Sequence, residues 1–273
     1  MSAIQILDAP TNITTNPTRS QAMSTTTAPT AVIPAQRFTT QIRVETRKLI
    51  DTRGGLAVIG TILATCLFAL IWLASQAKYG ATYHRYSTGA ANIVAYLIPV
   101  VTLLAMTAEW TQRTALTTFT LSPRRGRVLG AKFIAATAVS AAVLTVVLVL
   151  AAGATALGGA LHGHASWGHM GADIRSYFII MFLEVVMAAA FAALAGQTAV
   201  ALVAYFIAPT AWAAFAANVL GGSARWFDIF ATYDRLASDQ PLDHIGQTVT
   251  SIACWIAVPA VLGIRRSLHR EIK

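Results

Sequence analysis

Charge is what this chain of 273 residues has least of. Asp, Glu, Lys and Arg together make up 11% of it, against roughly 25% in ordinary soluble domains. So few charges do not cover a surface that faces water on all sides, and composition therefore argues against a soluble fold. Cysteine is nearly absent. Cys66 and Cys254 both lie inside apolar runs, which implies no disulfide framework and reads as packed or lipid-facing thiols. Acids are scarce as well: 11 against 20 Lys and Arg, for a net charge of +9 and a pI near 10.1. Such a balance suggests nucleic acid, but the cations stand at the ends of apolar runs and not on one polar face. That distribution argues against nucleic acid as a partner.

What the chain has in excess is apolar sequence, 56% of all residues. It falls into six runs, at 56–75, 90–108, 133–161, 177–195, 198–220 and 247–264. Each is near or above the roughly 20 residues that carry a helix across the hydrocarbon. The spacing predicts an all-α membrane protein, with six transmembrane helices in one bundle spanning 55–273. The third run is over-long, and its Gly153, Gly158 and Gly159 suggest that it loosens before its outer end. Pro99, Pro209 and Pro259 lie within runs, where a kink is the usual consequence. Ahead of the bundle, residues 1–35 are rich in Thr, Pro, Ala and Ser without periodicity, which reads as a disordered tail. It lacks the basic-then-apolar order of a signal peptide. Met23 is either an internal residue or a translation start.

Residues 36–54 read as an amphipathic helix lying on the membrane surface. Phe38, Ile42 and Leu49 share one side, and Arg37, Arg43, Arg47 and Lys48 the other, with Val44 breaking the pattern. A solvated charged segment is the alternative. If the N-terminus is inside, inner segments carry Arg37, Arg43, Arg47, Lys48 and Arg53, then the cations between 109 and 132, then Arg265, Arg266, Arg270 and Lys273. The outer segments carry only Lys78, Arg85, Arg175, Arg225 and Arg235. The positive-inside rule then puts both termini in the cytoplasm, in a multi-pass protein of the cell membrane.

The most distinctive polar stretch is 109–132, EWTQRTALTTFTLSPRRGRVLGAK. At helical spacing Ala115, Leu116 and Phe119 fall on one flank, and Arg113, Thr114, Thr117 and Thr118 on the other. Pro123 stops that short helix. Arg124, Arg125 and Arg127 follow, and Lys132 sits where the next apolar run begins. With Glu109 closing the second run, Thr114, Pro123, Arg127 and Gly130-Ala131-Lys132 form a pattern that resembles the first cytoplasmic loop of permeases in the ABC type-2 exporter family. Arg113-Thr114 stands where that family often has Gly-Thr. The resemblance implies an ATP-driven exporter whose membrane half this chain would be, with the loop as the coupling helix gripped by the ATPase. It implies as partners a separate ATPase subunit and a second copy or a related permease, besides the lipid bilayer itself. No cofactor or metal is expected. The chain carries no phosphate-cradling loop of its own, because Gly126 with Gly130-Ala131-Lys132 has the wrong spacing for one. On the residues alone, the arginines and Lys132 could equally fix topology and bind lipid phosphate.

Three further features carry chemistry. His162, His164 and His169, near Asp173, have metal-like composition without the order of a closed zinc site, so a polar outer loop is the plainer reading. The segment 221–246 mixes Trp226, Phe227 and Tyr233 with Asp228, Asp234, Asp239 and Asp243. It reads either as short helices in the outer leaflet or as a solvated loop with aromatic anchors. Glu184 is the one acid well inside an expected span. It shares a four-residue repeat with Ala188, Ala192 and Gly196, so it faces protein or water, either packing helices together or serving a pathway. An intramembrane enzyme would need a second catalytic group in the spans, and the histidines fall outside them. A scaffold or sensor subunit without transport is the other alternative. No constellation within the spans selects a cargo.

Overall fold

The computed structural model describes residues 37–76, 81–111, 125–238 and 240–269. Residues 1–35, read from the sequence as a disordered tail, lie outside the described residues. Residues 112–124, which hold the expected coupling helix, also lie outside them.

The described chain is almost wholly helical. Helix α1 (Phe38–Asp51) is followed by α2 (Arg53–Ser75), whose first turn is capped by Thr52, its hydroxyl accepting from Gly55 N at 3.2 Å. A two-residue strand β1 (Ala81–Thr82) leads into α3 (Tyr83–Thr111), and α4 (Arg125–His162) leads to β2 (Ala165–Ser166). Then come α5 (Met170–Ala195), α6 (Thr198–Val219), a 3₁₀ turn at Gly221–Trp226, α7 (Ile229–Ala237), α8 (Ile245–Ile252), a π-helical turn at Ala253–Ala257 and α9 (Val258–His269). Among the described residues six helical stretches are long and apolar enough to cross a membrane, the sixth being the run Ile245–Arg266 through α8, the π turn and α9. The protein is an all-α, multi-pass membrane protein.

Lipid takes the place of water in deciding which faces are open. Helix α2 buries only the stripe Ile62, Cys66, Leu70, at four-residue spacing, against α3 and α4. Phe68, Ile71 and Trp72 on its other side are exposed. That is the pattern of a helix with one packed seam and a lipid face. The two cysteines divide the same way, Cys66 packed and Cys254 exposed. Helix α3 is the axis of the bundle, touching α2, α4, α5 and α6. Two packed clusters share it: one links α1 to α5 through residues such as Ile62, Tyr86, Val94 and Val147. The other joins α3, α5, α6, α7 and the π turn around Leu103, Met187, Ala201, Tyr205, Ile229 and Ile256.

The third span does not loosen at its glycines. Helix α4 runs unbroken for 38 residues through Gly153, Gly158 and Gly159, about 57 Å at the usual rise, so its ends project beyond the hydrocarbon. Two of those glycines serve close approach instead. A Cβ on Gly158 would lie 2.6 Å from Ala81 Cβ, and one on Gly159 would lie 2.5 Å from Ala165 Cβ. The missing side chains let β1 and β2 cross against α4, where they pair in parallel, Ala81 with Ala165 and Thr82 with Ser166. Near this clasp the rings of Tyr83 and Trp167 stack at 6.0 Å.

Residues 221–246 contain short helices. Asp228 caps α7, its carboxylate accepting from Phe230 N and Ala231 N at 2.9 and 3.3 Å. Arg235 then ties α7 to α8 by donating to Thr248 and Gln247, and Trp255 Nε1 donates to Phe227 O at 2.7 Å.

Candidate functional site

Where the two packed clusters meet, α3, α5, α6 and α7 enclose a cavity of about 490 Å³. Helix α3 contributes His84, Thr88, Ala95 and Tyr96, and α5 contributes Asp173, Tyr177, Met181 and Glu184. Tyr205, Phe206 and Pro209 come from α6, and Phe230, Tyr233 and Asp234 from α7. The volume lies inside the range of about 300–1,000 Å³ usual for small-molecule sites. Asp173 and Glu184 are eleven residues apart on one helix, so the cavity runs roughly 16 Å along α5.

Glu184 is buried at the deep end. Tyr205 of α6 donates its phenolic hydrogen to Glu184 Oε2, and the Tyr233 hydroxyl of α7 lies beside the same carboxyl, 3.8 Å from Met187 Sδ. Burial and that neighbouring acid together push the Tyr233 phenol well above its ordinary range, so it stays a donor. Phe191 packs edge-on against Tyr205 at 5.9 Å, and Phe206 does so at 5.1 Å, which fixes the phenol's direction. The four-residue repeat is buried throughout: Glu184, Ala188 and Ala192 face the bundle, and Gly196 ends α5 in a left-handed turn at φ 67°.

At the other end of the cavity His84 Nδ1 stands 3.0 and 3.1 Å from the two oxygens of Asp173. Thr88 and Tyr177 share a hydrogen bond of 2.8 Å beside it. Sequence reasoning missed this pair because it held every histidine to lie outside the spans. His84 belongs to the second spanning helix, which begins at Tyr83. The polar segment 83–89 hides that start from a hydropathy reading, although Tyr83, Tyr86 and Ser87 are fully packed. His162, His164 and His169 are exposed, the ring of His169 standing 6.4 Å from that of His84, and among the described residues no three His, Cys, Asp or Glu side chains could hold a metal ion.

Of the basic segment, Arg113, Thr114, Ala115, Leu116, Phe119, Pro123 and Arg124 lie outside the described residues. Glu109 falls in the last turns of α3 and Arg125 opens α4. Arg127 sits over the ring of Phe38, 5.9 Å from its centre, where a cation–π contact pins α1. Lys132 is not a surface residue. It is 2% exposed and donates to Glu45 Oε2 at 3.0 Å and to Ala105 O at 3.2 Å. Lys48 holds the other oxygen of Glu45 at 2.6 Å. Helix α1 therefore buries Glu45 together with Leu49, while Arg37, Arg43, Arg47 and Lys48 stay exposed.

No family model matches the chain, and no curated protein matches it.

Proposed function

We propose that this protein is the membrane-spanning permease subunit of an ATP-driven exporter, of the ABC type-2 kind. The observation that carries the reading is the segment 109–132. It joins the second and third of six spanning helices, and it pairs an apolar flank, Ala115, Leu116 and Phe119, with Arg113, Arg124, Arg125 and Arg127. Its two ends feed α3 and α4 directly. A push on such a segment by a separate ATPase moves helices that wall the cavity, which is how a short docked helix passes work into a membrane. Helix α1, clamped to α3 and α4 through Glu45 and Lys132, stiffens the same corner. In this reading both termini and the segment are cytoplasmic, and two permease copies, identical or related, complete one pathway.

The test is co-purification. An ATPase encoded beside this gene, expressed with the full-length protein, is expected to elute with it. Leu116→Asp with Phe119→Asp is expected to release the ATPase while leaving the permease in the membrane. Wild-type yield of ATPase with the double variant would show that this segment is not the docking element. Absence of any ATPase with the native chain would favour a scaffold or sensor without transport.

A further inference from the structure

The chain carries 20 Lys and Arg against 11 acids, yet the cavity between α3, α5, α6 and α7 inverts that balance. Asp173, Glu184 and Asp234 line it, with no Lys or Arg in the lining. Asp173 has His84 as its partner at the mouth. Among the described residues the groups set against Glu184 are phenols, Tyr205 and Tyr233, which orient a carboxylate without neutralising it. The rest of the wall is mainly apolar and aromatic, including Tyr96, Phe206 and Phe230, with Thr88, Asn92 and Ser176 as neutral polar groups. A cation of matching bulk gains there from ring faces and from a carboxylate in a weakly screening surround. An anion meets three acids, and a neutral solute leaves Glu184 without a counter-charge.

We infer that this cavity is a binding site for lipophilic organic cations, with Glu184 as the counter-charge at its deep end and the aromatic wall holding the apolar body. The site needs no ATPase to exist. Its assignment as the place where cargo is taken up rests on the exporter reading above.

The experiment uses full-length protein in lipid nanodiscs and two probes of nearly the same shape and opposite charge, tetraphenylphosphonium and tetraphenylborate. Saturable binding of tetraphenylphosphonium is expected, at one site per chain and at least tenfold tighter than tetraphenylborate. Glu184→Gln is expected to weaken the cation at least tenfold and to leave the borate within about twofold. Ala95→Trp, which fills the cavity and leaves Glu184 in place, is expected to abolish saturable binding, so the inference stays testable if the Gln variant misassembles. Equal binding of both probes, or cation binding unchanged in both monodisperse variants, would overturn it. Cation binding by a permease that captures no ATPase would leave the site standing and remove the exporter reading. ATPase capture without charge-selective binding would do the reverse.

Discussion

Removing Glu45 should destabilise this protein more than removing Lys132, although the two form one ion pair. The reason is how each is surrounded. The Lys132 side chain is 3% exposed and that of Glu45 is 11% exposed, so both are out of water. Deleting one partner of a buried pair leaves the other uncompensated, at about 3–5 kcal/mol. In Lys132→Met, Glu45 keeps Lys48 at 2.6 Å, and Lys48 is half-exposed, so the carboxylate retains a counter-charge and access to water. That lowers the expected cost to about 1–3 kcal/mol, mostly the loss of the charged hydrogen bonds to Glu45 and to the Ala105 carbonyl. Glu45→Ala removes two ion pairs at once, with Lys48 as well as with Lys132, and the cost moves above that of Lys132→Met. The double variant is expected to cost less than the two singles summed, by about 1–3 kcal/mol. Reversible denaturation of the purified protein in mixed micelles measures all four corners of the cycle. Trypsin cleavage at Arg43 and Arg47 reports whether α1 has come off α4. Equal costs for the two single variants, or additivity in the double, would refute the pairing as described.

Several other outcomes test separate parts of the structure. Gly159→Val should break the clasp, because even a Cβ would meet Ala165 N at 3.2 Å as well as its Cβ; overpacking of this kind costs about 1–3 kcal/mol, read as a lower melting temperature. Gly263→Ala should separate α9 from α5, since its Cβ would fall 2.7 Å from Leu194 N, and a normal yield of folded protein would contradict that contact. For topology, single cysteines at Ser122 and Ser238, in a background without Cys66 and Cys254, should label differently with an impermeant thiol reagent. Labelling of Ser122→Cys from outside intact cells would reverse the proposed orientation. If Glu184 only packs helices, Glu184→Gln should transport at the wild-type rate across pH while Glu184→Leu impairs assembly; lost transport in a fully assembled Gln variant would assign it to the pathway.

The spans were legible because hydropathy is local: twenty apolar residues in a row have few fates besides a membrane helix. Their ends were less so. The second helix begins seven residues before its apolar run because Tyr83, Tyr86 and Ser87 are buried by neighbouring helices, and burial by a neighbour leaves no mark on the segment itself. The third begins eight residues early because a basic sequence, Arg125 to Lys132, continues the helix ahead of the apolar run. Gly158 and Gly159 were misread for a related reason. Glycine weakens a helix by its own propensity, but here each admits another backbone, and only the fold says which.

The site was legible in one residue only. Glu184 stood out because an acid in an apolar run is conspicuous and its repeat with Ala188 and Ala192 marks the packed face. Its partners did not, since Tyr205 and Tyr233 lie on other helices and tyrosine is ordinary in a membrane protein. The same holds for His84 with Asp173 and for Glu45 with Lys132, separated by 89 and 87 residues. Neither pair has a periodicity to find. What sequence does offer is scarcity: with only 11 acids in 273 residues, each acid in or beside an apolar run has to be compensated by some partner, because lipid provides no water to do it. By that rule Glu45 and Asp173 require partners as much as Glu184 does, and Lys132 and His84 are the partners they have.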